Sequence, residues 1–478
     1  MTRKKPRSAQ VEISQFSKKG HGLGHTLDEH KREVEVPFTI PGDVAEATLY
    51  HKRKGICTSH LDEIVHPSKL RISPRCIHFG TCGGCRWQQM DYPQQLAFKQ
   101  DHIEQLFRPL MEQSTVLYPI ISCDPPWHYR NKMEFSFSND ASGNKYLGLI
   151  IDGSRGKVLN ITECHLADTW FIQCLQRVRE WWMKSDLDAY HPHSNRGSLR
   201  TLTLRQGKRT GDRLIMLTVS GNPDFALHKH HLDSFVAAVR DSKEEMPPDS
   251  HLSIFLCIQQ AIKGHATSFY EMLLYGPDHI REILHVEHTA GEPAIPLEFS
   301  ISPAAFFQPN TLQAERLYSR ALQLLEIPDH SVVFDLYCGT GTLGICAANK
   351  AKKVIGIEIS AEAVLDAKAN VDKNRLSNVD IHNGSVAEVI SGLLLNNTLT
   401  RPDVVMVDPP RMGLDAKTLE HLSNLRPSKL LYISCNPATQ AENIKKLQAF
   451  GYQIKSLQPV DQFPHTVHIE NIAILTLK

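Results

Sequence analysis

Residues 332–344 read VVFDLYCGTGTLG, an apolar run followed by glycines at 339, 341 and 344. Val, Val, Phe and Leu without polar alternation describe a strand buried on both faces, the habit of parallel sheets. The glycines permit a tight turn and a close approach of backbone to a ligand, and a helical pattern begins with them. The next apolar strand, KVIGIEI, carries Glu358, placed where a carboxylate can accept both hydroxyls of a bound ribose. The same rhythm continues through VDIHNG, PDVVMVD and KLLYISC, with helices such as SAEAVLDAKANVDKNR between them. Residues 296–478 therefore predict an α/β, Rossmann-like domain. It opens with a helix over roughly 310–326 and closes with two strands, the last running antiparallel. The glycine pattern by itself fits a nicotinamide dinucleotide equally well.

The chain has 478 residues, 41% of them hydrophobic and 22% charged, an ordinary globular composition with room for two to four domains. No run of 18 apolar residues occurs, so no membrane span is expected. The basic N-terminus runs into polar residues rather than an apolar core, which argues against a signal peptide and for a cytoplasmic location. Eleven cysteines are too few for a disulfide scaffold and point to reduced thiols, free for metal ligation or nucleophilic catalysis. Net charge is +1, but residues 1–86 hold 15 Lys and Arg against 9 Asp and Glu, with runs at Arg3–Arg7 and Lys52–Lys54. A basic end on a neutral chain suits a module that binds a polyanion.

Short alternating runs divided by glycine turns (VEISQF, GHGLGH, EVEVPFTIPGD, VAEATLY, LDEIV) predict a small antiparallel, OB-like β-barrel over residues 1–69, of the kind that binds oligonucleotides. A proline-punctuated linker, HPSKLRISPRC, follows. Residues 70–295 mix a helix near DYPQQLAFKQDHIEQLF with strand-like YRNKMEFSFS, RTLTLRQ, RLIMLTVS and HLSIFLCIQQ, an α+β domain built on antiparallel pairing. Within it CIHFGTCGGCRWQQ sets Cys76, Cys82 and Cys85 close together, and Cys164 in ITECHLAD is the best fourth ligand. Four thiolates suit a [4Fe–4S] cluster or zinc. The C-x3-C-x2-C spacing of radical enzymes is absent.

Two further strand ends decide the ligand. VVMVDPPR puts Asp408 at the end of the fourth parallel strand, and YISCNP puts Cys435 at the end of the fifth. Both face the crevice outside the carboxyl ends of the strands, where open α/β sheets bind ligands. The set FFQPN (306–310), DLYCGTGTLG (335–344), DPPR (408–411), SCNP (434–437) and HIE (468–470) resembles the RNA uracil-5-methyltransferases that use S-adenosylmethionine. The likeness extends over almost the whole chain: the barrel resembles the TRAM domain of the 23S rRNA members, and YRNKMEFSF is another family block.

The resemblance implies S-adenosylmethionine contacts at Gln308, Tyr337, Glu358 and Asp408, and at Thr342, where some members carry Asn. It implies a [4Fe–4S] cluster on Cys76, Cys82, Cys85 and Cys164, and 23S rRNA as partner. Uracil C5 is a poor nucleophile until a thiolate adds at C6 and turns the ring into an enolate. C5 can then attack a methyl held near 3 Å, after which a base must take the C5 proton. Cys435 supplies the thiolate and the resemblance assigns Glu470 as the base. Phe306 and Phe307 are expected in the core, Arg411 is left open between phosphate and carboxylate, and His465 and His468 stand beside Glu470 as tuning or structural groups. Rival readings are a tRNA uracil-5-methyltransferase and an RNA-binding ribosome assembly factor with a vestigial site. A cytosine-5-methyltransferase ranks lower, because its thiol follows the fourth strand.

Overall fold

The computed structural model describes residues 7–478 apart from 155, 241–245, 262–263, 265 and 396–400, and only the backbone of 51–53. The basic run at 3–6 and the side chains of Lys52 and Arg53 thus lie outside the described residues. The chain begins with a closed barrel of β1 (Arg7–Phe16), β2 (Gly22–Thr26), β3 (Glu33–Val36), β4 (Val44–Arg53) and β5 (Ile56–His66), in the order β1-β2-β3-β5-β4. Alternate residues Val11, Ile13, Val34, Val36, Ala47 and Leu49 fill it. The glycine-rich GLGHT is a strand of this barrel, because β1 and β2 approach too closely for side chains. A Cβ on Gly24 would lie 1.9 Å from the Glu12 carbonyl oxygen.

Next come α1 (Tyr92–Phe107), with Asp91 accepting from the Gln94 N–H as its N-cap, and β6 (Val116–Leu117). The central sheet holds β7 (Lys132–Asn139), β8 (Lys145–Ile150), β9 (Val158–Leu159), β10 (Leu199–Gln206), β11 (Arg213–Ser220), β12 (Leu252–Gln260) and β13 (Ser268–Tyr275), ordered β13-β12-β11-β10-β7-β8-β9. Helices α2 (Thr169–Lys184) and α3 (Lys229–Arg240) cover one face through Trp170, Phe171, Trp182, Phe235 and Val239. Pairing is antiparallel except between β11 and β12, where α3 forms the crossover that a parallel pair requires.

The remainder comprises β14 (Ile280–Val286), β15 (Ile295–Ile301), α4 (Thr311–Leu325), β16 (Val332–Leu336), α5 (Thr342–Ala347), β17 (Lys353–Glu358), α6 (Ala361–Lys373) and β18 (Val379–Asn383), then α7 (Val386–Leu395), β19 (Val404–Val407), α8 (Ala416–Leu425), β20 (Lys429–Ser434), α9 (Pro437–Ala449), β21 (Tyr452–Val460) and β22 (Glu470–Leu477). Its eight-stranded sheet runs β18-β17-β16-β19-β20-β22-β21-β6. The five strands β16–β20 are parallel, and β22 lies antiparallel to both β20 and β21. Residue 296, the expected domain start, falls inside the β14–β15 hairpin, which packs as a whole into the core of α4 and the sheet. Helix α1 and β6 also belong to this body: Ile103 and Phe107 pack with Phe334, Val405 and Leu457, while β6 extends the sheet beside β21. Their apolar faces complete the sheet's cover, which sequence order alone conceals. None of the described helices is long and apolar enough to cross a membrane.

Candidate active site

At the carboxyl edge of the eight-stranded sheet the chain leaves β16 through Tyr337 (φ 63°), Gly339 (φ 54°) and Gly341 (φ 77°) in left-handed backbone. That turn presents the Gly339 N–H to Glu358 Oε2 at 3.0 Å, and the Ser360 N–H reaches Oε1 at 2.9 Å. Glu358 is thereby held at the mouth of the turn, with lone pairs left for a diol. Thr342 opens α5, its hydroxyl 3.0 Å from that of Thr340. The Tyr337 phenol lies 3.1 Å from Asp415 Oδ2 and 3.0 Å from the Thr418 hydroxyl, which turns the ring toward α8. Beneath the turn Asp335 accepts the Gly344 N–H at 2.7 Å. Burial, with Asp408 and Glu358 nearby, pushes its carboxyl up to about 8. Sequence reading did not single out Asp335; the available signal was an acid inside an apolar strand directly before the glycines.

Gln308 is buried in the segment between β15 and α4. Its side-chain oxygen accepts from Gln462 at 3.4 Å and its backbone carbonyl from Asn131 Nδ2 at 2.8 Å. Of the two phenylalanines expected in the core, Phe307 packs against Phe299, but Phe306 is 67% exposed. The segment is irregular, so consecutive side chains diverge, and one aromatic ring is left facing outward.

Cys435 follows β20 directly. The turn after it is tied to the Asp408–Arg411 turn by Asn436 Nδ2, which donates to the Arg411 carbonyl at 3.0 Å, and Pro437 starts α9. Pairing of Ser434 with Asn471 sets the first residue of β22, Glu470, beside the same turn. Glu470 is 2% exposed, and its Oε2 finds no hydrogen-bond partner among the described residues. Burial drives the Glu470 carboxyl well above the usual range; Asp408 adds to the rise and Arg411 opposes it. Burial raises Asp408 as well. The Cys435 thiol is pushed up to about 11, by burial first and then by Glu470 and Asp408, with the positive charge of Arg411 pulling the other way. Thiol, two carboxyls and guanidinium thus form one electrostatic group. Arg411, undecided from sequence, acts by its positive charge on both the thiol and the Glu470 carboxyl.

Of the two flanking histidines, His468 is pushed down to about 4 by burial and by Arg411, Lys99, Arg130 and Arg86, and is neutral at physiological pH. His465 stacks on Trp127 with centroids 3.7 Å apart, the setting of a structural residue.

Cys76, Cys82, Cys85 and Cys164 line one cavity of about 250 Å³, with Phe79, Met133, Leu149, Ile161 and Leu166 around them. Burial pushes the Cys76 thiol up to about 11 and Cys85 up to about 12; Cys82 and Cys164 also rise, and Cys164 adds to the rise of the other three. Glu163 accepts the Ile77 N–H at 2.7 Å and His78 Nε2 the Thr162 N–H at 2.9 Å, so the two cysteine loops are fastened together. Four thiols that repel as thiolates yet are held around one cavity fit a cationic centre. A second group, Asp186 with His230 and His231, has ligand atoms within 4.8 Å of one another. There His231 Nδ1 accepts the His228 N–H and Nε2 pairs with Asp186, so both of its ring nitrogens are engaged by the protein.

A family model described as tRNA (Uracil-5-)-methyltransferase matches residues 266–478. A Protochlamydia amoebophila protein named an uncharacterized RNA methyltransferase is 56% identical over 444 residues, 93% of this chain and 100% of that protein. A Chlamydia trachomatis protein of the same description is 37% identical over 84% of this chain and 97% of its own. Among solved structures, Pyrococcus abyssi tRNA (uracil-54, C5)-methyltransferase in complex with S-adenosyl-L-homocysteine superposes with a TM-score of 0.72. It covers 98% of this chain and 99% of its own at 24% identity, a likeness of fold.

Proposed function

The chain belongs to the RNA uracil-5-methyltransferase family, and on that footing we propose that it methylates C5 of a specific uridine in 23S rRNA. It is an S-adenosylmethionine-dependent RNA methyltransferase. The observation that carries the uracil-C5 chemistry is the placement of Cys435 and the buried, unpartnered Glu470 on the paired ends of β20 and β22, beside the Asp408–Arg411 turn.

The proposed roles rest on that placement. Cys435 adds as thiolate to C6 of a flipped-out uracil, and the ring electrons move to an enolate. Arg411, whose positive charge lowers the thiol, would stabilise the thiolate as it forms. S-adenosylmethionine supplies the methyl group that C5 takes. Glu470, buried and short of one hydrogen bond, then accepts the C5 proton; the C5–C6 double bond re-forms, the C6–S bond breaks and Cys435 departs as thiolate. A carboxyl raised by burial is a stronger base than one in water, which suits proton removal from carbon. Glu358 would hold the ribose hydroxyls of the donor. Gln308, Tyr337, Thr342 and Asp408 complete the donor pocket, Tyr337 through the backbone turn it makes, since its phenol is engaged by Asp415 and Thr418.

Cys76, Cys82, Cys85 and Cys164 would hold a [4Fe–4S] cluster as thiolates; its cationic core would offset part of their charge and supply a rigid cross-link to this fold, with no part in methyl transfer. A cavity between the thiols supports a cluster over a lone zinc ion, which its four ligands enclose directly. The barrel would bind RNA beside the site.

The rRNA assignment rests on the barrel together with the four-cysteine set. Transfer RNA is the second reading, favoured by the family description and by the archaeal enzyme's full-length likeness in fold. One experiment tests both. Anaerobically purified protein is incubated with S-adenosylmethionine and 5-fluorouridine-substituted rRNA fragments or tRNA, beside Cys435→Ala, and run on a denaturing gel. Fluorine cannot leave as a proton, so a C5-methylating enzyme stalls as the thioether. An adduct on rRNA that requires Cys435 and the donor supports the proposal, and an adduct on tRNA moves the substrate. No adduct on either, with RNA still bound, promotes the assembly-factor reading. Iron, sulfide and zinc assays on the same protein decide the metal.

A further inference from the structure

The loop 461–469 between β21 and β22 leads directly into Glu470 and is largely buried. Its anchors come from the N-terminal half of the chain. Lys99 Nζ donates to Asp461 Oδ1 at 2.7 Å and to the Phe463 carbonyl at 3.1 Å, Tyr92 Oη to Asp461 Oδ2 at 2.9 Å, and Tyr129 Oη to the Pro464 carbonyl at 3.1 Å. The anchors converge on His465, whose φ of 64° is left-handed, a conformation that costs a side-chain-bearing residue about 1–2 kcal/mol unless its surroundings enforce it. Its N–H donates to Gln95 Oε1 at 2.9 Å; its carbonyl accepts the N–H groups of Arg86 at 2.9 Å and Trp87 at 3.2 Å. Its ring stacks on Trp127.

Arg86 directly follows Cys85, and Trp127 packs in the same apolar group as Cys85 and Cys164. Two routes therefore run from the four-cysteine cavity to one residue, by backbone hydrogen bond and by ring stacking. Five residues later the chain delivers the proposed base.

We propose that His465 is a positioning residue through which the occupied four-cysteine site holds Glu470 in place for removal of the C5 proton. The inference rests on the roles given above to Cys435, Glu470 and the four cysteines. Loss of the cysteine site leaves thiolate addition and methyl transfer intact and slows the last step, in which the C5 proton passes to Glu470, the C5–C6 double bond forms and the C6–S bond breaks. The product of that failure is a stable adduct carrying the new methyl on C5.

The test uses full-length protein and two readouts. Hydrogen exchange compares the wild type, purified anaerobically, with Cys85→Ser and His465→Gly. Amides in 461–470 should exchange at least tenfold faster in both variants, with β16 and β19 unchanged. On denaturing gels with unmodified RNA, of the kind that traps with 5-fluorouridine, both variants should accumulate methylated adduct at least tenfold above wild type, as Glu470→Gln should. His465→Asn, which tolerates the left-handed turn, should lie between them and wild type. If Cys85→Ser loses protection throughout, His465→Gly decides, since glycine keeps the turn and backbone bonds and removes only the ring. Unchanged exchange in 461–470, or lost activity without adduct, overturns the proposal. Failure of the wild type to trap on fluorinated RNA instead defeats the catalytic reading, and the exchange result remains separately readable.

Discussion

If Cys435 is the nucleophile, the free enzyme holds it as a thiol and not as a thiolate. Burial and the neighbouring Glu470 and Asp408 push it up to about 11, against about 8.5 for an ordinary cysteine. At pH 7.5 the thiolate fraction falls from about one in ten to about one in three thousand, roughly a 300-fold loss. A more basic thiolate is intrinsically more reactive, with a Brønsted slope of about 0.4–0.5, which restores about tenfold. Alkylation of Cys435 by iodoacetamide at pH 7.5 should therefore run about 30-fold slower than that of an exposed cysteine. The decisive quantity is the slope: restricted access lowers the rate by one factor at every pH, whereas ionisation makes it rise tenfold per unit up to about pH 11. Timed pulses on the full chain, quenched and mapped by mass spectrometry at the Cys435 peptide, measure it. Glu470→Gln removes the carboxylate that raises the thiol, so the rate at pH 8 should rise; Arg411→Gln removes the opposing positive charge, so it should fall. A Cys435 rate already flat above pH 7 would refute the electrostatic account of this site.

Three further outcomes are expected. Lys99→Met strands the fully buried Asp461, and breaking such a pair should cost about 3–5 kcal/mol by urea unfolding, more than Lys99→Met with Asp461→Asn together. Asp335 keeps its proton to about 8 in the folded chain and near 4 when unfolded, so the native state binds the extra proton between those values and stability falls as pH rises from about 4 to 8. Asp335→Asn, which still accepts the Gly344 N–H, should flatten that fall when unfolding at pH 5 and pH 8 is compared. Gly24→Ala would drive a methyl into the Glu12 carbonyl and should destabilise the chain by at least about 2 kcal/mol, seen as protease cuts concentrated in residues 7–66.

The features legible in the sequence are those that local pattern determines. Unbroken Val, Ile and Leu runs betrayed the parallel strands, alternation betrayed the barrel, and a cysteine ending the fifth strand stood out because few chemistries need one there. Patterns failed where a residue's state depends on a distant partner. Gly22 and Gly24 look like turn residues until β1 lies across them. Phe306 looks like core until its neighbour Phe307 takes the inward position. Gln95 and Lys99 look like the solvated face of α1, yet both are buried, because their partners His465 and Asp461 lie 370 and 362 positions away.

That failure has a chemical counterpart. The proposed nucleophile and its acidic neighbours sit at strand ends, where the sheet alone fixes them to within the accuracy addition chemistry needs. The proposed base is different: it must meet a proton on a tetrahedral carbon whose direction is set only after methyl transfer, and a misplacement of about 1 Å can cost 100-fold. Strand β22 begins at Glu470, so the sheet restrains that residue on one side only. The other side is the buried loop 461–469, and its restraints are supplied by α1, Tyr129 and the segment after Cys85. A buried carboxylate oxygen without a partner is unfavourable unless its surroundings are rigid, and those three elements supply the rigidity. The fold thus holds the proposed base with parts of the chain that carry no recognisable catalytic motif.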